Sequence, residues 1–273
     1  MLLYRVIRDA AAAEAVRAEL GLDRPLVVQL LDWVAALSTL DLGNSLVSGN
    51  SVWSEVASQL GASLLLAVSA IALSILIAVP IGVVAGLKAG SWIDHLSLVG
   101  SVATRTIPAF ALGILLMLWL AVDLKLFPVA GYGSTVHLVL PSLTLALGLA
   151  AVSSRVIRDA VFDATRTPWY AFARNKGLNS GQVFRRHVAR NAAVPAVAYI
   201  GVQLAYLIEG VVIIEAVFAW PGIGHALVHA IFERDVPMVQ GTALTLGLIF
   251  VALSLVVDLL CRWLDPRGAH SLR

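Results

Sequence analysis

Along most of this chain apolar positions run on without alternating with polar ones. No residue is ionised between Glu55 and Lys88, Arg105 and Asp123, Lys125 and Arg155, Arg190 and Glu209, or Asp235 and Asp258. A helix that crosses a bilayer needs about 20 mostly apolar residues, so each run can supply one span. The pattern predicts spans near 56–87, 106–122, 138–154, 192–208 and 240–257. The expected fold is therefore all-α: a polytopic membrane protein with five transmembrane helices. Pro80, Gly82 and Gly86 lie near the end of the first span and are expected to weaken it there, which membrane helices tolerate. Residues 88–105 read as a short link, and Pro108 opens the second span.

The polar stretches divide the rest. Residues 1–55 hold four basic and seven acidic residues and no apolar run of spanning length. Two short amphipathic helices are predicted here. One runs over 10–20, capped by Asp9 and ended by Gly21; the other is opened by Asp23 and Pro25 and runs through Leu37. Residues 41–51 form a turn-rich loop. A basic island lies between the third and fourth spans: residues 155–194 carry eight of the nineteen Lys and Arg against two Asp, a net +6. Within it Pro168 starts a short helix that Gly177 closes, and a second helix begins after Asn179 and Ser180.

Charge then sets orientation, because Lys and Arg beside spans stay cytoplasmic. The 155–190 loop faces the cytoplasm, and alternation places 88–105 and the C-terminus with it. The domain plan is an extracytoplasmic helical segment, 1–55, and a transmembrane domain, 56–265. Overall, 59% of residues are hydrophobic and 13% charged, against about 45–50% and 25% in soluble domains. The single cysteine, Cys261, excludes an internal disulfide framework. No G-x-x-x-x-G-K-[ST] phosphate loop occurs, nor any catalytic constellation, so the chain reads as a non-enzyme with neither cofactor nor nucleic acid implied. Glu209, near the end of the fourth span, and Glu215 beyond it are the candidate substrate-pathway residues, since an acid at membrane depth is a functional candidate. His225, His229 and Glu233 share a helix face; two loop histidines are more often polar surface, and no metal site is assigned.

The segment AFARNKG at 171–177 and NAAVP at 191–195 resemble the cytoplasmic E-A-A-x-x-x-G signature and its ending in inner-membrane permease subunits of ABC importers of the dipeptide/oligopeptide/nickel class. EAVFAWPGIGHALVHAIFERDVPMVQG at 215–241, LLCRWLDPR at 259–267, and weaker echoes in AELGLDRPLVVQLLDW, DLGNSLVSG and PVAGYG extend the resemblance over almost the whole chain. Ala171 stands where the signature has glutamate and Phe172 where it has alanine. The resemblance implies a type I importer permease fold in a bacterial inner membrane. It also implies a second homologous permease, two cytoplasmic ATP-binding subunits that hydrolyse ATP, and an extracytoplasmic substrate-binding protein. Coupling to the ATPase is expected at Tyr170, Ala171, Phe172, Ala173, Arg174, Lys176, Gly177, Arg185 and Arg186, with Tyr170, Phe172 and Ala173 as an apolar knob. Peptides are the expected cargo and nickel chelates the alternative; an ion-coupled carrier would show inverted repeats that are not seen. Family members usually carry one more span at the front, which is expected to be missing here.

Overall fold

The computed structural model describes residues 23–39 and 41–264, and the helix expected over 10–20 lies outside them. Among the described residues the regular structure is helical. The first helix, α1 (Leu26–Ser38), starts at Pro25 and not at a side-chain cap. Its apolar residues Leu26, Val27, Leu30 and Leu31 stand exposed.

The next helix, α2 (Val52–Leu87), is one uninterrupted 36-residue rod, about 54 Å at 1.5 Å per residue. Pro80 lies inside it without ending it. The glycines expected to weaken its end instead bring it against α5 (Thr135–Thr165). A Cβ at Gly82 would sit 2.6 Å from the Ser154 carbonyl oxygen, and one at Gly86 would sit 2.6 Å from that of Arg158. With Ala70, Ser74 and Ala78 they form a buried stripe at every fourth position of α2. In a bilayer, where apolar burial gives helices no preference for one another over lipid, such small residues let two backbones approach closely enough to hold by contact.

The stretch read as a short link is itself a helix, α3 (Trp92–Thr106), whose N-cap Ser91 accepts a hydrogen bond from the Asp94 amide. It meets the next segment at 103°. That segment is α4 (Ala109–Leu116) with a π-helical continuation, Met117–Asp123. Extended backbone at Ile107 and Pro108 makes the corner, as the restriction on residues before proline requires.

After α5 come α6 (Pro168–Asn175), α7 (Ser180–Val183) with a π turn over Phe184–Val188, and α8 (Ala189–Val217). Two more follow, α9 (Ile223–Glu233) and α10 (Val236–Leu264). By length and hydropathy α2, α5 and α10 can each cross a membrane; α3 with α4, and Ser180–Gln203 with Tyr206–Val217, bent by 45° within α8, make two bent pairs that bring the number to five if each is one span. The central contacts join α2, α5 and α8 around Leu66, Leu140, Leu145, Leu207 and Ile214.

Candidate functional site

The basic loop folds as a compact cap on the end of α5. Thr167 precedes α6, Pro168 occupies its first turn, and the helix closes at Lys176 and Gly177. Gly177 has φ +83°, a left-handed conformation that costs other residues roughly 1–2 kcal/mol. The following turn is fixed by a reciprocal cap: the Gln182 amide donates to Asn179 Oδ1 at 2.8 Å and the Asn179 amide to Gln182 Oε1 at 3.2 Å. Trp169 leans on the His187 ring, centroids 5.7 Å apart. Val183 and Val188 are fully buried beneath.

This packing sorts the expected coupling residues into two groups. Phe172 is 61% exposed, with Lys176 Nζ 4.7 Å above its ring. Ala171, Arg174, Lys176, Gly177, Arg185 and Arg186 also face outward, and Arg174 reaches Ser180 Oγ at 2.8 Å. Ala173 is buried and Tyr170 half-buried against the bundle. The outward knob therefore rests on Phe172, and Ala173 belongs to the floor that holds it.

Not all of the island's charge faces outward. The Arg158 guanidinium donates from Nε and Nη2 to the two Asp94 oxygens, at 3.0 and 2.6 Å, and Arg155 lies 3.7 Å from the same carboxylate. Gly90 N–H adds a further bond to Asp94 at 3.0 Å. Hydrogen bonding from Arg158 holds the Asp94 carboxyl well below the usual carboxylate range. A planar fork on a carboxylate is among the stronger polar contacts, and here it rivets α3 to the polar extension of α5. Arg158 and Arg166 both stack on the Phe162 ring, 4.8 and 4.4 Å from its centroid.

Glu215 and Glu209, the acids expected on the substrate pathway, are placed as follows. Both lie within α8, which runs past the end expected for the fourth span; the Glu209 side chain is outside the described residues. Glu215 is fully buried. Its Oε1 accepts from Ser63 Oγ at 2.7 Å, and its Oε2 from the amides of Gly224 at 2.8 Å and His225 at 3.2 Å. Ser63 Oγ in turn accepts from the Ile223 amide at 2.8 Å. One carboxylate and one hydroxyl thus take up the free N–H groups that open α9, where a negative charge also meets the positive end of the helix. Trp220, buried beside them, donates from Nε1 to the Ala62 carbonyl at 2.9 Å and meets Tyr132 edge-on at 4.8 Å. In this conformation Glu215 is a buried knot joining α2, α8 and α9.

His225 and His229 meet edge-on, centroids 4.5 Å apart, and burial, with His229 beside it, pushes the His225 imidazole below its ordinary value. Among the described residues no three metal-ligating side chains converge.

A bundle of helices long and apolar enough to span a bilayer, knotted on one side by a buried carboxylate and capped on the other by a basic helix-turn, is the architecture of an integral membrane protein. The profile of the family described as "Binding-protein-dependent transport system inner membrane component" matches residues 78–269. The glutathione transport system permease protein GsiC of Pectobacterium atrosepticum is 36% identical over 258 residues, covering 94% of this chain and 84% of the relative. That of Salmonella typhimurium is 37% identical over the same coverage. Two solved transporters share the fold. The MetNI methionine ABC transporter superposes with TM-score 0.62 at 18% identity, over 77% of this chain and 96% of that one. An amino acid ABC transporter with histidines gives 0.57 at 15%, over 78% and 94%. This chain belongs to the binding-protein-dependent transport family: it is an inner-membrane permease of an ABC importer. Neither the nickel alternative nor an ion-coupled carrier is favoured by these likenesses.

Proposed function

We propose that this permease lines half of a translocation pathway for peptide-like solutes, paired with a second permease, and that it receives its driving force at α6 from ATP-binding subunits that carry out the hydrolysis. A substrate-binding protein delivers cargo on the opposite face, where the 41–51 loop and α9 lie. The cargo class rests on one observation, the identity to glutathione permeases along 94% of the chain. The coupling role rests on geometry. A loop that passes force must be stiff, and α6 is fixed by Pro168, by the turn at Gly177 and by the reciprocal cap at Asn179, while Phe172 projects between Arg174 and Lys176. An apolar side chain ringed by cations suits an apolar groove with an acidic rim.

Phe172→Asp tests this directly, because it places a charge in an apolar seat without touching a span. The variant is expected to insert and fold normally, yet to lose co-purification with the ATPase subunits and peptide uptake by the assembled importer. Retention of both would leave α6 as a mere anchor of topology.

A further inference from the structure

A second polar feature lies within the membrane domain, on a wall that the coupling loop and the Glu215 knot do not share. A groove of about 300 Å³ opens between the α3–α4 corner, α5 and α8. Small-molecule sites begin at about this size, and a permease that contributes half a pathway has only half of the enclosure to supply. Along α5 the groove extends from Val152 to Thr144. It therefore starts about one turn from Arg155 and reaches about 12 Å farther toward the membrane centre at 1.5 Å per residue.

Among the described residues its wall carries one charged residue, Arg105. Arg105 is exposed in the last turn of α3 and, among the described residues, makes no hydrogen bond or ion pair. The contrast with Arg155 and Arg158, which share Asp94, is sharp. An unpaired guanidinium inside the charged belt is costly beside lipid and is sustained where it faces water or a polar passenger. Opposite it, Tyr199, Gln203 and Tyr206 share one face of α8, at positions i, i+4 and i+7. Gln203 fixes this face from behind, donating from Nε2 to the Leu149 carbonyl at 2.9 Å and to Ser153 Oγ at 2.7 Å. The two tyrosines project from it, and Tyr206 is 61% exposed.

We infer that this groove is a transit subsite for an anionic solute, in which Arg105 receives a carboxylate while Tyr199 and Tyr206 offer hydroxyls to its amide groups. The inference rests on the proposed import of peptide-like cargo and names the chemistry by which the chain meets it. A guanidinium fork matches a carboxylate in two parallel hydrogen bonds. Among the described residues that line the groove none is acidic, so the contact is available to a passenger. A single such contact, open to water, also lets the passenger go. Along α5 the groove lies from Val152 to Thr144, beyond Arg155 and Arg158, and the anion assigned to it is the solute's own carboxylate.

The test uses the complete importer in phosphatidylcholine nanodiscs, with Cys261→Ser removing the native thiol and Tyr206→Cys placing one in the groove. Sulfonate-bearing and trimethylammonium-bearing methanethiosulfonates are applied from water. Both should react. Adding Arg105→Gln should shift the ratio of their rates away from the sulfonate on the order of tenfold, as loss of a focusing charge in a cleft does. A thiol at 206 that neither reagent reaches, or a ratio unmoved by Arg105→Gln, overturns the subsite. In proteoliposomes with the binding protein, uptake of a radiolabelled tripeptide with a free carboxylate should fall at least severalfold for Arg105→Gln and less for Arg105→Lys. Equal uptake by wild type and Arg105→Gln also overturns it. If wild type carries no peptide while the reagent preference holds and depends on Arg105, the peptide cargo fails and the anion groove stands.

Discussion

Replacing Glu215 by alanine removes the acceptor for three donors at once: Ser63 Oγ and the amides of Gly224 and His225. Each buried donor left unpaired costs about 1–3 kcal/mol, so the loss is about 3–9 kcal/mol before relaxation. Glu215→Gln keeps the shape but offers only one oxygen. Its oxygen turns to the two amides and its NH₂ to Ser63 Oγ, which makes the contacts neutral at a cost of about 1–3 kcal/mol. Ser63→Ala strips Ile223 N–H of its acceptor and should cost a similar amount. The two sites share a bond, so their effects should not add: Ser63→Ala should cost less in the Glu215→Ala background, by about 1–2 kcal/mol. Gly222→Ala supplies an independent check. Its Cβ would run into the Glu215 carboxylate, which must then leave its partners. Thermal unfolding of the nanodisc-embedded protein, followed by tryptophan fluorescence, measures all five. Co-melting of Glu215→Ala with wild type, or a Ser63→Ala effect of the same size in both backgrounds, would refute the knot.

Three further outcomes follow from contacts described above. Gly82→Val should separate α2 from α5, because even its first carbon meets the Ser154 carbonyl at 2.6 Å; a loss of more than about 3 kcal/mol is expected in the same melting assay. Asp94→Asn should cost about 1.5–3 kcal/mol by weakening the fork with Arg158. Because the Asp94 carboxyl is depressed, its contribution is fully present above the ordinary carboxylate pKa and fades only as pH falls below it, so melting at pH 5 and pH 8 should differ by the same amount from wild type. Gly177→Val should leave α6 out of register and lower stimulated ATP hydrolysis by the assembled importer, with the membrane domain's melting unchanged within about 2 kcal/mol.

The spans were legible because each is a charge-free run, and a bilayer demands little else of a helix. The turn at Gly177 and the start at Pro168 were legible because single residues dictate them. What escaped was of two kinds. α3 read as a link because its apolar residues are broken by Asp94, His95, Ser97 and Ser101; the signal that it is a helix was local, Ser91 capping the Asp94 amide. The Glu215 knot had no local signal. Ser63 lies 152 positions away, and a carboxylate at the end of an apolar run looks the same whether it faces a pathway or closes a helix start. Gly82 and Gly86 were misjudged for a related reason: their lack of a side chain was counted as weakness in one helix, when a second helix uses the space.

The glycine contact between α2 and α5 has a mechanical consequence. Two long helices seated backbone to backbone bend less readily than either alone, so they act as one beam, and α6 hangs from its end with only Arg166 and Thr167 between. α5 has 31 residues, a lever of roughly 46 Å at 1.5 Å per residue. A tilt of about 10° imposed at α6 would sweep the far end of that lever through roughly 8 Å, enough to open or shut a passage the width of a small solute without any change inside the beam.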